Sequence, residues 1–272
     1  MSLTSEWIRF GNSGEHLGYL AKMDGGQSRP GLVLIQEAWG VDEHIMDVAR
    51  RFARAGYAVL APDLFARDGQ RPEALKAGRM EELKAFVDGL PPGAWGNPAE
   101  REAALAGLPQ DQGRRVGESY NLLFGGLLGN PGQFLPPLLA AAAHLRGQVP
   151  SSRGRRVGSL GFCMGGGLSG LLASQDGELA AAVIFYGQGL PKDKIPGLAC
   201  PLLAFHGQTD RRLVDALPQF EADMKQAGKA LEVRVYPGAG HAFFNDTRPS
   251  YQAEAARDAF ARALAFLNGS LS

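Results

Sequence analysis

Near the middle of the chain a cysteine stands between two glycines, in Gly161-Phe162-Cys163-Met164-Gly165-Gly166-Gly167. One apolar stretch, Gly158–Gly161, runs into it, and another, Leu168–Ala173, leads away. G-x-C-x-G between a strand and a helix has the pattern of a nucleophile elbow. The glycines have a steric purpose. The nucleophile sits on a strained turn, so the residues two places to either side must be nearly free of side chain. The helix that starts here favours a thiolate through its dipole. The amide of Met164 would face the reacting carbonyl as an oxyanion donor. A cysteine can also be a small packing residue, and a glycine-rich turn can hold phosphate. Here the spacing is not G-x-G-x-x-G, because Cys163 occupies the place between Gly161 and Gly165. Cys200, in Leu198-Ala199-Cys200-Pro201, lacks flanking glycines and reads as packing.

A cysteine nucleophile needs a base, and the base needs an orienting acid. After an elbow of this kind the acid comes next along the chain, then the histidine. His16, His44 and His144 all precede Cys163. His206 ends an apolar run and is followed by Gly207-Gln208-Thr209-Asp210. His241 lies in Gly238-Ala239-Gly240-His241-Ala242-Phe243, a loop after the last predicted strand. The carboxyl ends of strands are where open α/β sheets hold ligands. The spacing therefore selects Cys163, Asp210 and His241, and leaves His206 a structural role. A further acid, Glu37, follows the first core strand in Ile35-Gln36-Glu37-Ala38-Trp39-Gly40. A buried acid is costly unless it has a task, though bracing loop amides would also account for it. The amide of Ala38 is placed to be the second oxyanion donor.

The elements needed to position these groups are legible. Trp7–Phe10 and Leu17–Lys22, joined across Gly11–Gly14, read as a hairpin. The apolar run Leu32–Ile35 predicts a buried parallel strand. A helix over Val48–Ala53, with Asp42 or Glu43 near its start, and a strand Tyr57–Ala61 follow. Strands at Gly158–Gly161, Ala180–Tyr186, Pro201–His206 and Leu231–Tyr236 alternate with helices at Leu168–Ala173, Val214–Ala227 and Tyr251–Leu267. This is an α/β protein, with a mostly parallel sheet and helices on both faces. Residues 66–133 break the alternation, with helix-like pieces at Glu73–Asp88 and Pro98–Ala106. An insertion of that length reads as a lid. It leaves the chain just after Asp63-Leu64, at a strand's carboxyl end, and offers Trp95, Tyr120 and Phe124 as apolar lining.

The 272 residues fit one large domain, 1–272, carrying the 66–133 insertion. Lys plus Arg and Asp plus Glu are 28 each, and no basic stripe points to nucleic acid. Two cysteines make no disulfide framework. The apolar stretch Phe134–Leu145 is too short to span a bilayer, and no secretory signal opens the chain. A cytoplasmic protein with reduced thiols, with no nucleic-acid or membrane partner, is expected.

Five ordered segments resemble the dienelactone hydrolases: Gln36–Gly40, Ala61–Arg67, Gly161–Gly166, His206-Gly207 with Asp210, and Gly240–Phe243. The resemblance implies an α/β-hydrolase fold and a Cys–His–Asp triad. It further implies that the acid matching Glu37 contacts the resting thiol and moves when substrate binds. Family members acting on dienelactone hold the substrate carboxylate with arginines, one of them four residues after the histidine. Here that position is Asn245. Arg71, Arg79 and Arg101 are candidates for the other, and Arg211 or Arg248 for a substitute. With Trp39 and Phe243, Asn245 makes up the expected pocket for a small-molecule ester or lactone of apolar, uncharged acyl group. No metal or organic cofactor is expected. A thiol redox protein and a non-catalytic binding module on the same fold are the alternatives. The first lacks an evident resolving cysteine.

Overall fold

The computed structural model describes residues 2–91, 94 and 97–272. Trp95, one of the expected lid residues, lies outside them. The strands are β1 (Leu3–Phe10), β2 (His16–Met23), β3 (Gly31–Ile35), β4 (Ala58–Pro62), β5 (Val157–Phe162), β6 (Leu179–Phe185), β7 (Leu202–Gly207) and β8 (Leu231–Tyr236). They form one sheet in the order β1-β2-β4-β3-β5-β6-β7-β8. The β1–β2 hairpin joins β4 antiparallel, and every later pair is parallel. Strands β3, β4, β5 and β7 are buried throughout, as expected of strands covered on both faces.

The helices are α1 (Glu43–Arg54), α2 (Ala77–Asp88), α3 (Pro98–Ala106), α4 (Gln110–Tyr120), α5 (Leu135–Gly147), α6 (Met164–Gln175), α7 (Arg211–Val214), α8 (Leu217–Gln226) and α9 (Ala253–Leu271). Asp42 caps α1, its side chain accepting from Ile45 N at 3.1 Å. Ile45, Val48, Ala49, Phe52 and Ala53 then form the buried stripe of α1. On α9, Ala255, Ala259, Ala263, Leu267 and Leu271 line one face, and the small residues let it approach β5, β6 and β7. Pro136 and Pro137 stand in the first turn of α5, where no N–H is needed.

The chain divides into two compact units. The first, Met1–Leu64 with Phe134–Ser272, holds the sheet and its helices. The second is Phe65–Gln133. Inside it, Arg115 grips Glu82 with two hydrogen bonds of 3.0 and 2.8 Å, and Arg79 reaches Glu118 at 3.0 Å. Arg101 lies over the ring of Tyr120 at 4.6 Å, and Phe124 packs on that ring. This segment is more helical than its glycines and prolines suggest, with α4 the unforeseen element. The helix expected over 214–227 is broken into α7 and α8, because Pro218 fits only the first turn of a new helix.

The strand order places the site. From β3 the chain moves one way to β4, then returns to β5 on the other side of β3. The crevice at such a switch point, at the strands' carboxyl ends, is the usual ligand position in open α/β sheets. Gln36-Glu37-Ala38 leave β3 there, and Cys163 leaves β5 there.

Candidate active site

Cys163 is half-buried between β5 and α6, with φ 54° and ψ −117°. That is the left-handed region, where a non-glycine residue is strained. Its amide is anchored to Phe185 O at 2.9 Å. The two elbow glycines are required by contact. A Cβ on Gly161 would fall 1.9 Å from the carbonyl oxygen of Gly165, and one on Gly165 would fall 2.4 Å from that of Gln36. The turn is thus pressed both on itself and on the loop after β3. Ala38 and Met164 belong to these two segments, and among the described residues neither amide is used in a turn, cap or loop hydrogen bond.

Asp210 and His241 arrive on the loops after β7 and β8. Thr209 ties these loops together, its N and Oγ1 donating to Ala239 O at 2.9 and 3.0 Å. A Cβ on Gly207 would lie 2.4 Å from Gly240 O, so only glycine permits the approach. His241 Nδ1 and Asp210 Oδ2 are 2.5 Å apart. Burial disfavours a charged His241, but hydrogen bonds to Asp210 and then to Cys163 outweigh it and raise its pKa to about 10. Burial likewise pushes the Asp210 carboxyl up, while the hydrogen bond and charge of His241, with Arg212 and His206 behind it, bring it below its usual range. The structure therefore pairs His241 with Asp210 and sets Cys163 near enough to act on the charge of His241. A chain of thiol, imidazole and carboxylate of this kind can generate a thiolate and move a proton to or from a bound substrate.

Glu37 is also brought into the crevice. It is 3% exposed, and each carboxylate oxygen has a donor: Tyr186 Oη to Oε1 at 3.0 Å and Asn245 Nδ2 to Oε2 at 2.8 Å. Tyr186, at the end of β6, is fully buried with φ 38°, and its ring lies 5.2 Å from that of His241. The sequence contained one signal for it, a tyrosine at a strand's carboxyl end followed by Gly187.

Of the expected pocket residues, Phe243 is fully buried with its ring between those of Tyr186 and Tyr236. Asn245 faces Glu37, as described. Trp39 follows Ala38 and carries the guanidinium of Arg248 at 5.2 Å from its ring centre. Arg211 pairs with Asp215 at 2.7 Å. His206 is buried beneath Asp210, and burial lowers its pKa to about 4. Cys200 is buried too, its thiol pushed up to about 12 by burial and Asp176. Among the described residues no cluster of three or more His, Cys, Asp or Glu side chains could hold a metal ion, and no helix is long and apolar enough to cross a membrane.

The sequence pattern of the dienelactone hydrolase family matches residues 17–271. A protein of Saccharolobus solfataricus with the provisional name carboxymethylenebutenolidase is 33% identical over 237 residues, covering 87% of this chain and 88% of that one. A second with that provisional name, from Methylorubrum extorquens, is 30% identical over 244 residues, covering 86% of this chain and 69% of its own. A crystal structure from Klebsiella pneumoniae, provisionally described as a dienelactone hydrolase, superposes with a TM-score of 0.73 at 24% identity, covering 98% of this chain and 99% of that one. That likeness bears on the fold, an α/β-hydrolase fold. The chain belongs to the dienelactone hydrolase family and is a hydrolase.

Proposed function

We propose that the protein hydrolyses a small ester or lactone through a covalent thioester on Cys163. The observation that carries this is the Cys163 elbow, strained at φ 54° and set between glycines whose positions only a side-chain-free residue permits, beside a histidine that Asp210 holds. Cys163 thiolate attacks the acyl carbon, and the carbonyl electron pair moves onto oxygen, where the amides of Met164 and Ala38 receive it. The tetrahedral adduct collapses and breaks the bond to the alkoxide, which takes a proton from the His241 imidazolium. Neutral His241 then removes a proton from water, whose oxygen attacks the thioester. Collapse expels the thiolate, restores the imidazolium partner and releases the acid. Asp210 keeps the His241 ring in one orientation throughout. Electrostatic stabilisation at the oxyanion accounts for much of the rate in such chemistry.

A butenolide, a lactone, is one candidate substrate in this reading, and the names of the relatives support it. Asn245 argues for an uncharged acyl group, since it is a neutral donor and faces Glu37. Trp39 supplies apolar surface beside the Ala38 amide. A lid role for residues 66–133 belongs to the same proposal. Photolabelling from a benzophenone alkylator on Cys163 should then mark peptides of 66–133, and labels confined to the sheet unit would remove the lid. Cys163→Ala tests the nucleophile. It should lower kcat by about three or more orders of magnitude with an unchanged melting curve. Wild-type turnover in that variant would exclude Cys163 from the chemistry.

A further inference from the structure

The resemblance to the family implies an acid at Glu37 that touches the resting thiol and moves when substrate binds. The surroundings of Glu37 give it no such freedom. Its two oxygens are held by different donors, Tyr186 Oη and Asn245 Nδ2. Asn245 cannot reverse its amide, because Oδ1 accepts from Thr247 N at 3.0 Å and from Thr247 Oγ1 at 2.7 Å. Tyr186 cannot swing, because its fully buried ring packs against His241 at 5.2 Å and Phe243 at 5.4 Å. Each donor is thus fixed by contacts of its own. For Glu37 to leave either of them would strand a buried N–H or O–H without a partner, which is unfavourable. Among the described residues no hydrogen bond joins Glu37 to Cys163, while Asp210 holds His241 and the neighbouring Cys163 helps to raise the His241 pKa.

We propose that Asn245 and Tyr186 are positioning residues that pin Glu37 away from the thiol, so that the Cys163–His241 pair is assembled before any substrate arrives. This deepens the nucleophile assignment above and rests on it for its catalytic meaning. The position four residues after the histidine then serves the acid instead of the substrate. Both donors are neutral, so Glu37 has no cationic partner among its hydrogen bonds. An acid without a cation beside it disfavours an anionic acyl group and leaves neutral esters and lactones as the favoured class.

The groups that bear on the thiol and on Glu37 come from several elements. They are Tyr186 after β6, Asp210 with Arg212 after β7, His241 after β8, and Asp42 at the start of α1. His44 and Asp246, 3.5 Å apart, lie on α1 and the loop beyond Asn245, and Arg248 lies over Trp39. None of these is changed by substituting Asn245, and Tyr186→Phe keeps the ring. A changed titration of Cys163 in either variant therefore reports on Glu37.

The test is the rate of Cys163 alkylation by iodoacetamide without substrate, followed from about pH 5 to about pH 9, since only the thiolate reacts. The wild-type profile is the reference. Asn245→Ala frees Glu37 to take the thiol proton, so its rate near pH 6 should fall about tenfold or more, the midpoint moving up by about one unit. Tyr186→Phe, whose shape preserves the core, should move the profile the same way. The double variant Asn245→Ala/Glu37→Gln should recover to within about threefold of wild type, which mere damage to the loop would not allow. Wild-type profiles in both single variants, or no recovery in the double, overturn the proposal. The readout does not need ester turnover. An enzyme that shows these shifts yet never carries an acyl group would fail the hydrolytic mechanism and keep the positioning roles.

Discussion

Gly165→Ala is a one-methyl perturbation whose size can be worked out. The new Cβ would lie 2.4 Å from Gln36 O and 2.5 Å from Ile35 O, both backbone atoms that no side-chain rotation can relieve. Reaching even a tight contact of 3.0–3.4 Å requires the start of α6 and the end of β3 to part by about 0.6–1 Å, and displacement on that scale costs about 10²-fold when it separates reacting groups. The segments that part carry the Met164 and Ala38 amides, so the proposed oxyanion site is widened. Losing one such donor costs about 10²–10³ in kcat, or roughly 2.7–4 kcal/mol. Overpacking of this kind also lowers stability by about 1–3 kcal/mol. The assay is kcat and KM on a neutral chromogenic ester, with thermal melting to show that the variant is folded. Iodoacetamide should still alkylate Cys163 within about threefold of the wild-type rate, because that reaction needs no oxyanion site. A folded Gly165→Ala enzyme with kcat within about threefold of wild type would refute the assignment of these amides.

Asp210→Asn keeps the shape of the site and removes the charge on His241. It should cost about 10³–10⁴ in kcat, and a loss below about tenfold would count against Asp210 as the orienting acid. The same substitution has a signature in folding. His241 is raised from 6.5 to about 10, so the stability it contributes is present below pH 6.5 and lost as pH rises through about 10. Asp210 is lowered below 3.8, so its contribution is present above that pH and lost as pH falls through its folded value. Urea melts should therefore show the wild-type advantage over Asp210→Asn greatest in the mildly acid range, shrinking on both sides, and a pH-independent gap would contradict the pairing. For substrate choice, kcat/KM for a carboxylate-bearing dienelactone should not exceed that for a neutral ester of similar size. A preference of about a hundredfold or more for the anion would reveal a cationic clamp.

What was legible in the sequence is what is local. The elbow is written within five residues, because its steric demand falls on Gly161 and Gly165, two places to either side of Cys163. The order of Asp210 and His241 follows from strand ends that periodicity locates. The partner of Asn245 was not legible, since its bond to Glu37 joins residues 208 apart and depends on β3 and the loop after β8 meeting at one end of the sheet. Tyr186 was hidden for a related reason. It closes an apolar strand and reads as core until β6 is known to lie beside β5. In the 65–133 unit, Gly113 and Gly117 argue against a helix on propensity, and the Arg115–Glu82 and Arg79–Glu118 pairs hold α4 against α2 regardless. Asp215 and Ala216 interrupt what looks like one helix because Pro218 needs a fresh first turn.

The central claim is that Cys163 carries the acyl group, and peptide mass spectrometry of enzyme quenched in acid during turnover tests it most directly. With an ester chosen so that acylation outpaces hydrolysis of the thioester, the peptide containing Cys163 should gain the acyl mass. The added mass should vanish on treatment with hydroxylamine and be absent from Cys163→Ala. An acyl group found on Cys200 or on any serine, with Cys163 unmodified, would contradict the account.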